Sequence, residues 1–312
     1  MRVEHKLLLG TSLRAVRHRL PADVLLLATV LLWSFNFTVV KYALTHGWEP
    51  LSYSSVRFAI GAVLFSAVTL GREGTLRVER RHVPIMIVAA ALGIWLNQLT
   101  FAYSVRLTTA ATVALMFGTF PIFVALIAQA LRVEHLRLRH WLATVISFSG
   151  VALVAAGASG GLSSDLGGIL LGLGASATWA AYSVAVGPLM RRYSPYRISA
   201  FMLLVGSVPL LVSSAVQLAE QDWGALGGLA WAAFVYSLLF SLVFTNVMWF
   251  TAIDRVGPGR ASLYLNLQPF LGAFFALVVL SEELGALQIA GGFVIGAGLL
   301  LARLAQPAPS PD

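Results

Sequence analysis

Ten apolar runs of about 17–24 residues take up most of this chain: 23–44, 50–70, 84–104, 108–131, 141–157, 167–188, 198–218, 229–251, 259–280 and 286–303. A helix rises about 1.5 Å per residue, so runs of that length match the ~30 Å hydrocarbon core of a bilayer. Lipid offers no hydrogen bonds to a bare backbone, and only helices and closed barrels can cross it. Barrel strands would be about ten residues long with alternating polarity, which none of these runs shows. The chain reads as an all-α polytopic membrane protein of ten transmembrane helices. Composition agrees: 58% of residues are hydrophobic and only 11% are charged, where soluble domains carry about a quarter. With no cysteine, disulfide frameworks, thiolate metal sites and cysteine nucleophiles are excluded. The basic N-terminus offers only Leu7–Leu9 as an apolar core, too short for a signal peptide, so the first span serves as an uncleaved targeting signal.

The net charge of +8 reflects sidedness rather than nucleic-acid binding. All but Lys41, Arg57 and Arg106 of the 21 lysines and arginines fall in segments on the side of the N-terminus, from Arg2 and Lys6 through Arg72, Arg80, Arg139, Arg192 and Arg255 to Arg303. The opposite loops hold Glu49, Asp165, Glu220, Asp222, Glu282 and Glu283. Such asymmetry places both termini in the cytoplasm.

The chain also repeats itself. Pro121 and Pro269 stand 148 residues apart, as do Glu134 and Glu282, and the same interval pairs Leu115 with Leu263, Ala125 with Ala273, Ala128 with Ala276, Leu136 with Leu284 and Gly150 with Gly298. Each half then contains five spans, and a unit with an odd span number inserts the second time upside down. Two inverted five-helix repeats are a transporter signature, with the substrate site at their interface near the midplane. The expected organisation is a basic N-terminus (1–22), a first repeat (23–157), a periplasmic linker (158–166), a second repeat (167–303) and a cytoplasmic tail (304–312).

In these features the chain resembles the drug/metabolite transporter superfamily, EamA type. The match is carried by Trp33 and Asn36 in span 1, Trp179 at the equivalent place in span 6, the Ala/Thr-rich approach to Pro121, and the Pro121, Glu134, Gly150 and Pro269, Glu282, Gly298 series. In general character it is most similar to YddG-like exporters of aromatic and other amino acids. The resemblance implies that spans 1, 3, 4, 6, 8 and 9 line a central cavity while spans 5 and 10 form a scaffold.

No acidic residue and no histidine lies in the middle of a span. Proton relays in membranes need such groups, so the simpler expectation is a transporter without an intramembrane coupling carboxylate. The same absence removes a metal centre or a serine–histidine hydrolase within the membrane; the chain reads as no enzyme, with no cofactor and no metal. Two cations are placed deeply. Lys41, near the end of span 1, reads as snorkelling to headgroups. Arg57, about 10 Å into span 2 by helical rise, is either tied to backbone carbonyls or in contact with a substrate carboxylate.

The substrate-binding candidates are polar amides and rings: Trp33, Asn36, Asn97, Gln98, Tyr103, Trp179, Tyr182, Asn246, Tyr264 and Asn266, with Arg57. The interval sets Asn97 and Gln98 against Thr245 and Asn246. Buried amides must find partners, so interhelical bonding competes with substrate contact at each. Trp48, Trp141, Trp223 and Trp231 read as an interfacial belt. Pro121 and Pro269 are static kinks or hinges, each freeing a carbonyl at Phe117 or Leu265. Pro209 reads as a kink, Gly292 and Gly296 as a small-residue packing face, and Glu134 and Glu282 as caps or loop ties. The function expected is export of amino acids, aromatic ones included, across a bacterial inner membrane by alternating access. The alternative is export of another small neutral metabolite or an amphipathic drug, such as a purine or nucleoside. The partners are the small-molecule substrate and the lipid bilayer, without nucleic acid; the sequence leaves the oligomeric state open, a monomer included.

Overall fold

The computed structural model describes residues 21–132, 138–157 and 162–304; Glu134, the N-terminal segment 1–20 and the tail 305–312 lie outside them. The first five spans are α1 (Ala22–Thr45), α2 (Pro50–Glu73), α3 (Arg80–Leu107), α4 (Ala110–Ala130) and α5 (Leu138–Ala156). The second five are α6 (Leu162–Val186), α7 (Pro195–Ser213), α8 (Gly228–Tyr236, Ser237–Phe244 and Thr245–Leu265), α9 (Gln268–Leu280) and α10 (Ala286–Leu304). No strand occurs among the described residues. Eight of these helical runs are long and apolar enough to cross a membrane, and α9 and α10 are shorter apolar helices. Large apolar side chains such as Val63, Val145, Phe293 and Leu300 cover the perimeter, a surface suited to lipid rather than to water. The protein is a polytopic all-α membrane protein.

Local chemistry sets the helix ends. α2 begins with Pro50 in its first turn and ends at Gly74, whose φ of 69° is open to glycine at no steric cost. Thr109 caps α4 by accepting from Thr112 N, and Ser194 caps α7 by accepting from Arg197 N. Ala22, the start of α1, lies at the proximal end of the bundle and Thr45 at the distal end.

The two prolines do not kink continuous helices. α4 is two half-helices, Ala110–Phe117 and Phe120–Ala130, broken at Gly118–Thr119. Asn266–Leu267 makes the equivalent break before α9, one repeat interval later. Pro121 and Pro269 sit in the first turn of the second half-helix, where a missing N–H removes no helical bond. Pro209, by contrast, lies inside α7 without ending it. A loop expected between spans 8 and 9 is also absent: the helix runs on from Thr245 to Leu265 through Gly257, Pro258 and Gly259. One proline and two glycines weaken a helix locally, but the turns on either side carry it across.

The helices pair in a pattern that survives exchange of the two repeats. α3 packs on α6 as α8 packs on α1, the second half of α4 packs on α6 as α9 packs on α1, and α2–α7, α4–α9 and α5–α10 pair with each other. At the α5–α10 crossing the correspondence reaches single atoms. A Cβ on Gly150 would meet Gly291 O at 2.7 Å and Ile295 N at 2.8 Å, and one on Gly298 would meet Ala143 O at 2.9 Å and Ser147 N at 3.0 Å. The 148-residue interval maps each set onto the other. The closest backbone approach of α10 thus runs through Gly291 and Gly298. Gly292 faces Leu115 and Gly296 faces Phe270, so that pair does serve helix packing, but against α4 and α9.

Both repeats contain one π-helical stretch, Ala91–Leu96 in α3 and Ser237–Phe244 in α8, ending at equivalent residues. Each seats a side chain against a glycine of the other repeat: Ile94 on Gly206 of α7, and Leu242 on Gly61 of α2. Single π turns widen a helix, rotate the residues beyond them about its axis and recur at functional sites.

Candidate functional site

Directly after the π stretch of α3, Asn97 and Gln98 enter a chain of hydrogen bonds that crosses five helices. Arg57 of α2, only 4% exposed, donates from Nη1 to Ser237 Oγ of α8 at 2.5 Å and from Nη2 to Gln98 Oε1 at 2.8 Å. Ser237 Oγ in turn donates to Asn36 Oδ1 of α1 at 2.6 Å. Gln98 Nε2 donates to Asn97 Oδ1 at 3.1 Å, and Asn97 Nδ2 to Ala175 O of α6 at 2.8 Å. Asn36, Gln98 and Ser237 are each nine or ten residues from the distal end of their span, about 14 Å by helical rise. The network therefore lies near mid-depth and joins both repeats.

No carboxylate belongs to it. The ion pairs Arg81–Glu79 and Arg197–Glu73 lie near the proximal end, away from it. The guanidinium instead lies over the rings of Tyr53 at 5.4 Å and Phe58 at 4.9 Å, and its Nε has no acceptor. The repeat interval carries Arg57 onto Val205, so the charge belongs to the first repeat alone.

One turn distal to Arg57 and Ser237, Tyr53 and Phe234 meet Trp48. Trp48 stacks on Phe234 at 4.9 Å, meets Tyr53 edge-on at 5.5 Å and is 1% exposed. It is a buried plug over the network and not the interfacial tryptophan its position at a span end implies. Trp223 and Trp231 pack against its other faces and stay partly open. The short helix Ala215–Glu220 completes this closure. Gln217 accepts from Leu51 N in the first turn of α2 and donates to the Tyr103 hydroxyl at 2.9 Å, while Gln221 joins Glu49 N to Gly47 O. A distal recess of about 440 Å³, lined by Tyr42, His46, Gly47 and Leu229, includes no network residue.

Lys41 does not snorkel. Its ammonium donates to Val105 O at 2.9 Å and Thr108 O at 2.7 Å, at the C-terminus of α3. Arg106 returns the tie by donating to Leu44 O at the end of α1. Free carbonyls at helix C-termini carry partial negative charge, and a cation there is stabilised without reaching water. Glu282 does the converse: its two oxygens accept from Ala110 N and Ala111 N at the start of α4, at 2.8 and 3.0 Å. It is a cap, as expected, and it joins the repeats.

The remaining candidates fall outside the network. Trp33 Nε1 donates to Ser241 O of the π stretch at 3.0 Å and its ring meets Trp249. The Asn246 amide bonds Leu242 O one turn back in its own helix, and the Tyr264 hydroxyl donates to Asp23 at 2.8 Å. Trp179 and Tyr182 form a ring pair at 4.9 Å, with Tyr182 against Gly93 in the π stretch of α3. Asn266 sits in the break before α9. Ser237, which couples Arg57 to Asn36, is not legible in the sequence, because a lone serine in an apolar run carries no signal distinct from packing.

Comparison with known proteins adds the context. The sequence profile of the EamA-like transporter family matches residues 20–156 and 166–304. The chain is similar to the uncharacterized transporter YvbV of Bacillus subtilis, 28% identical over 89% of this chain and 90% of that protein. It is also similar to a probable terminal-alkyne amino-acid exporter of Streptantibioticus cattleyicolor, at 25% identity over 88% and 91%. A solved crystal structure with a TM-score of 0.65 and 20% identity covers 93% of this chain and 99% of its own, a likeness of fold.

Proposed function

We propose that this protein, which belongs to the EamA-like transporter family, exports amino acids, aromatic ones included, by alternating access. The observation that carries the substrate class is the mid-depth network of Asn36, Arg57, Asn97, Gln98 and Ser237 joining the repeats. Amides both donate and accept, which suits the two ends of a zwitterion. The ring pair of Trp179 and Tyr182 and the ring of Trp33 supply apolar wall for a side chain. The name given to the Streptantibioticus relative points the same way. The half-helix breaks before Pro121 and Pro269 are the hinges of this scheme, and the repeats 23–157 and 167–303 are its moving bodies. The cation distribution supports a bacterial inner-membrane location with both termini cytoplasmic. Transport proceeds without an intramembrane proton-coupling carboxylate, down the substrate gradient, and no catalytic step accompanies it.

The test is purified protein in liposomes preloaded with labelled amino acids. Efflux with or without a pH gradient is expected at equal rate. A requirement for the gradient would refute uncoupled transport. Inertness towards every amino acid, with efflux of purines or nucleosides, would refute the substrate class.

A further inference from the structure

Lys41, Arg57 and Arg106, the cations of the distal half of the first repeat, are held in two different ways, and the difference bears on substrate. Lys41 and Arg106 bond backbone carbonyls at helix ends, which are fixed acceptors within a helix dipole. Arg57 bonds only side chains, Ser237 and Gln98. A hydroxyl and a primary amide can rotate aside at small cost, whereas a backbone carbonyl cannot. Arg57 also keeps one whole donor nitrogen in reserve, since Nε is buried and bonded to nothing. Nε and Nη2 form one edge of the guanidinium, the edge that matches the two oxygens of a carboxylate.

The charge itself is unbalanced. A buried cation is costly unless paired, and neutral acceptors with two aromatic rings compensate it only in part. No acidic side chain among the described residues is paired with Arg57. A carboxylate arriving on the substrate would supply the missing charge, fill Nε and displace Gln98 from Nη2. An amine without a carboxylate would meet only the unneutralised cation.

Resting on the amino-acid reading above, we propose that Arg57 is the carboxylate-recognising residue of the transport site. A substrate must then carry a carboxylate, and amides, esters and decarboxylated amines of the same shape are rejected.

The experiment uses the full chain in liposomes loaded with labelled phenylalanine, with four unlabelled competitors: phenylalanine, 3-phenylpropionate, phenylalaninamide and phenethylamine. Phenylalanine and 3-phenylpropionate are expected to slow efflux at concentrations at least tenfold lower than the amide and the amine. Arg57→Lys keeps the charge but loses the planar edge, so the half-saturation concentration rises about tenfold while the maximal rate changes little. Arg57→Gln abolishes the preference for acid over amide. Melting of the detergent-solubilised protein gives an independent reading, with 3-phenylpropionate raising the transition of the wild type and phenethylamine leaving it in place. Equal competition by the acid and the amide in the wild type overturns the proposal while leaving amino-acid export standing. Preserved acid preference in Arg57→Gln overturns it as well. Absence of phenylalanine efflux from the wild type defeats the functional reading instead, and the melting comparison then decides the Arg57 assignment by itself. Where Arg57→Gln does not accumulate in the membrane, the wild-type competitor series still decides.

Discussion

Replacing Gly150 by alanine tests the α5–α10 seam with a single methyl group. The added Cβ would lie 2.7 Å from Gly291 O and 2.8 Å from Ile295 N. Ordinary contact begins near 3.4 Å, so the helices must part by about 0.7 Å; the Ile295 side chain also obstructs, but these two atoms belong to backbone and cannot turn aside. Overpacking of that kind costs about 1–3 kcal/mol. Alanine recovers about 1 kcal/mol through its better helix propensity, leaving a net loss between about 0 and 2 kcal/mol. Gly71→Ala provides the reference, because a Cβ there meets nothing within 4 Å and only the propensity gain remains. The difference between the two variants isolates the steric part. Thermal unfolding in detergent should therefore rank Gly71→Ala above wild type and Gly150→Ala below it. By the two-fold, Gly298→Ala should behave like Gly150→Ala. Efflux per folded molecule should be unchanged in all three, since neither α5 nor α10 contributes to the Arg57 network. Equal stabilisation by Gly150→Ala and Gly71→Ala would refute the seam. A stable Gly150→Ala that transports poorly would refute the scaffold role of α5 and α10.

Glu282→Gln leaves one oxygen to serve two backbone donors and removes a charge-assisted pair worth about 1.5–3 kcal/mol per bond; a lower melting transition is expected, and an unchanged one would sink the inter-repeat cap. Ser237→Ala strips Arg57 of one acceptor and Asn36 of its donor, so the half-saturation concentration for amino-acid efflux should rise about tenfold, the equivalent of 1.4 kcal/mol. Asn246→Ala should leave efflux within about twofold of wild type, because its amide already bonds Leu242 O; a larger loss would return it to the substrate path. Asn36→Ala and Trp179→Ala should cut efflux while membrane yield, read by immunoblot, stays constant, and a fall in yield would assign both to bundle packing.

Much of the architecture is legible in the residues themselves, and particular positions show why. Pro121 and Pro269 mark the span breaks, since a proline inside an apolar run forces a decision about the bond it lacks. The nature of the break, two half-helices rather than a kink, depends on Gly118–Thr119 and Asn266–Leu267 adopting turns that no residue type there demands. Glu282 is recognisable as a cap from its place at a span end, but not its partners Ala110 and Ala111, 171–172 residues away. Trp48 shows the opposite failure. Its position at a span end is interfacial by composition, yet neighbours from α2 and α8, together with Trp223, bury it.

Hydropathy and charge determined the ten apolar spans and the cation-rich side, because bilayer thickness and insertion act on the chain as a line, and residues recurring at one interval determined the duplicated plan. Which polar groups meet was decided only by tertiary structure. Each residue turns a helix by about 100°, so whether Asn36, Arg57, Gln98 and Ser237 face one another depends on the rotation of four separate helices. The π stretches in α3 and α8 reset that rotation immediately before Gln98 and from Ser237 onward, and they leave no mark in composition. A guanidinium without a carboxylate could be counted in the sequence; that it stands at the junction of both repeats could only be seen once the helices were packed.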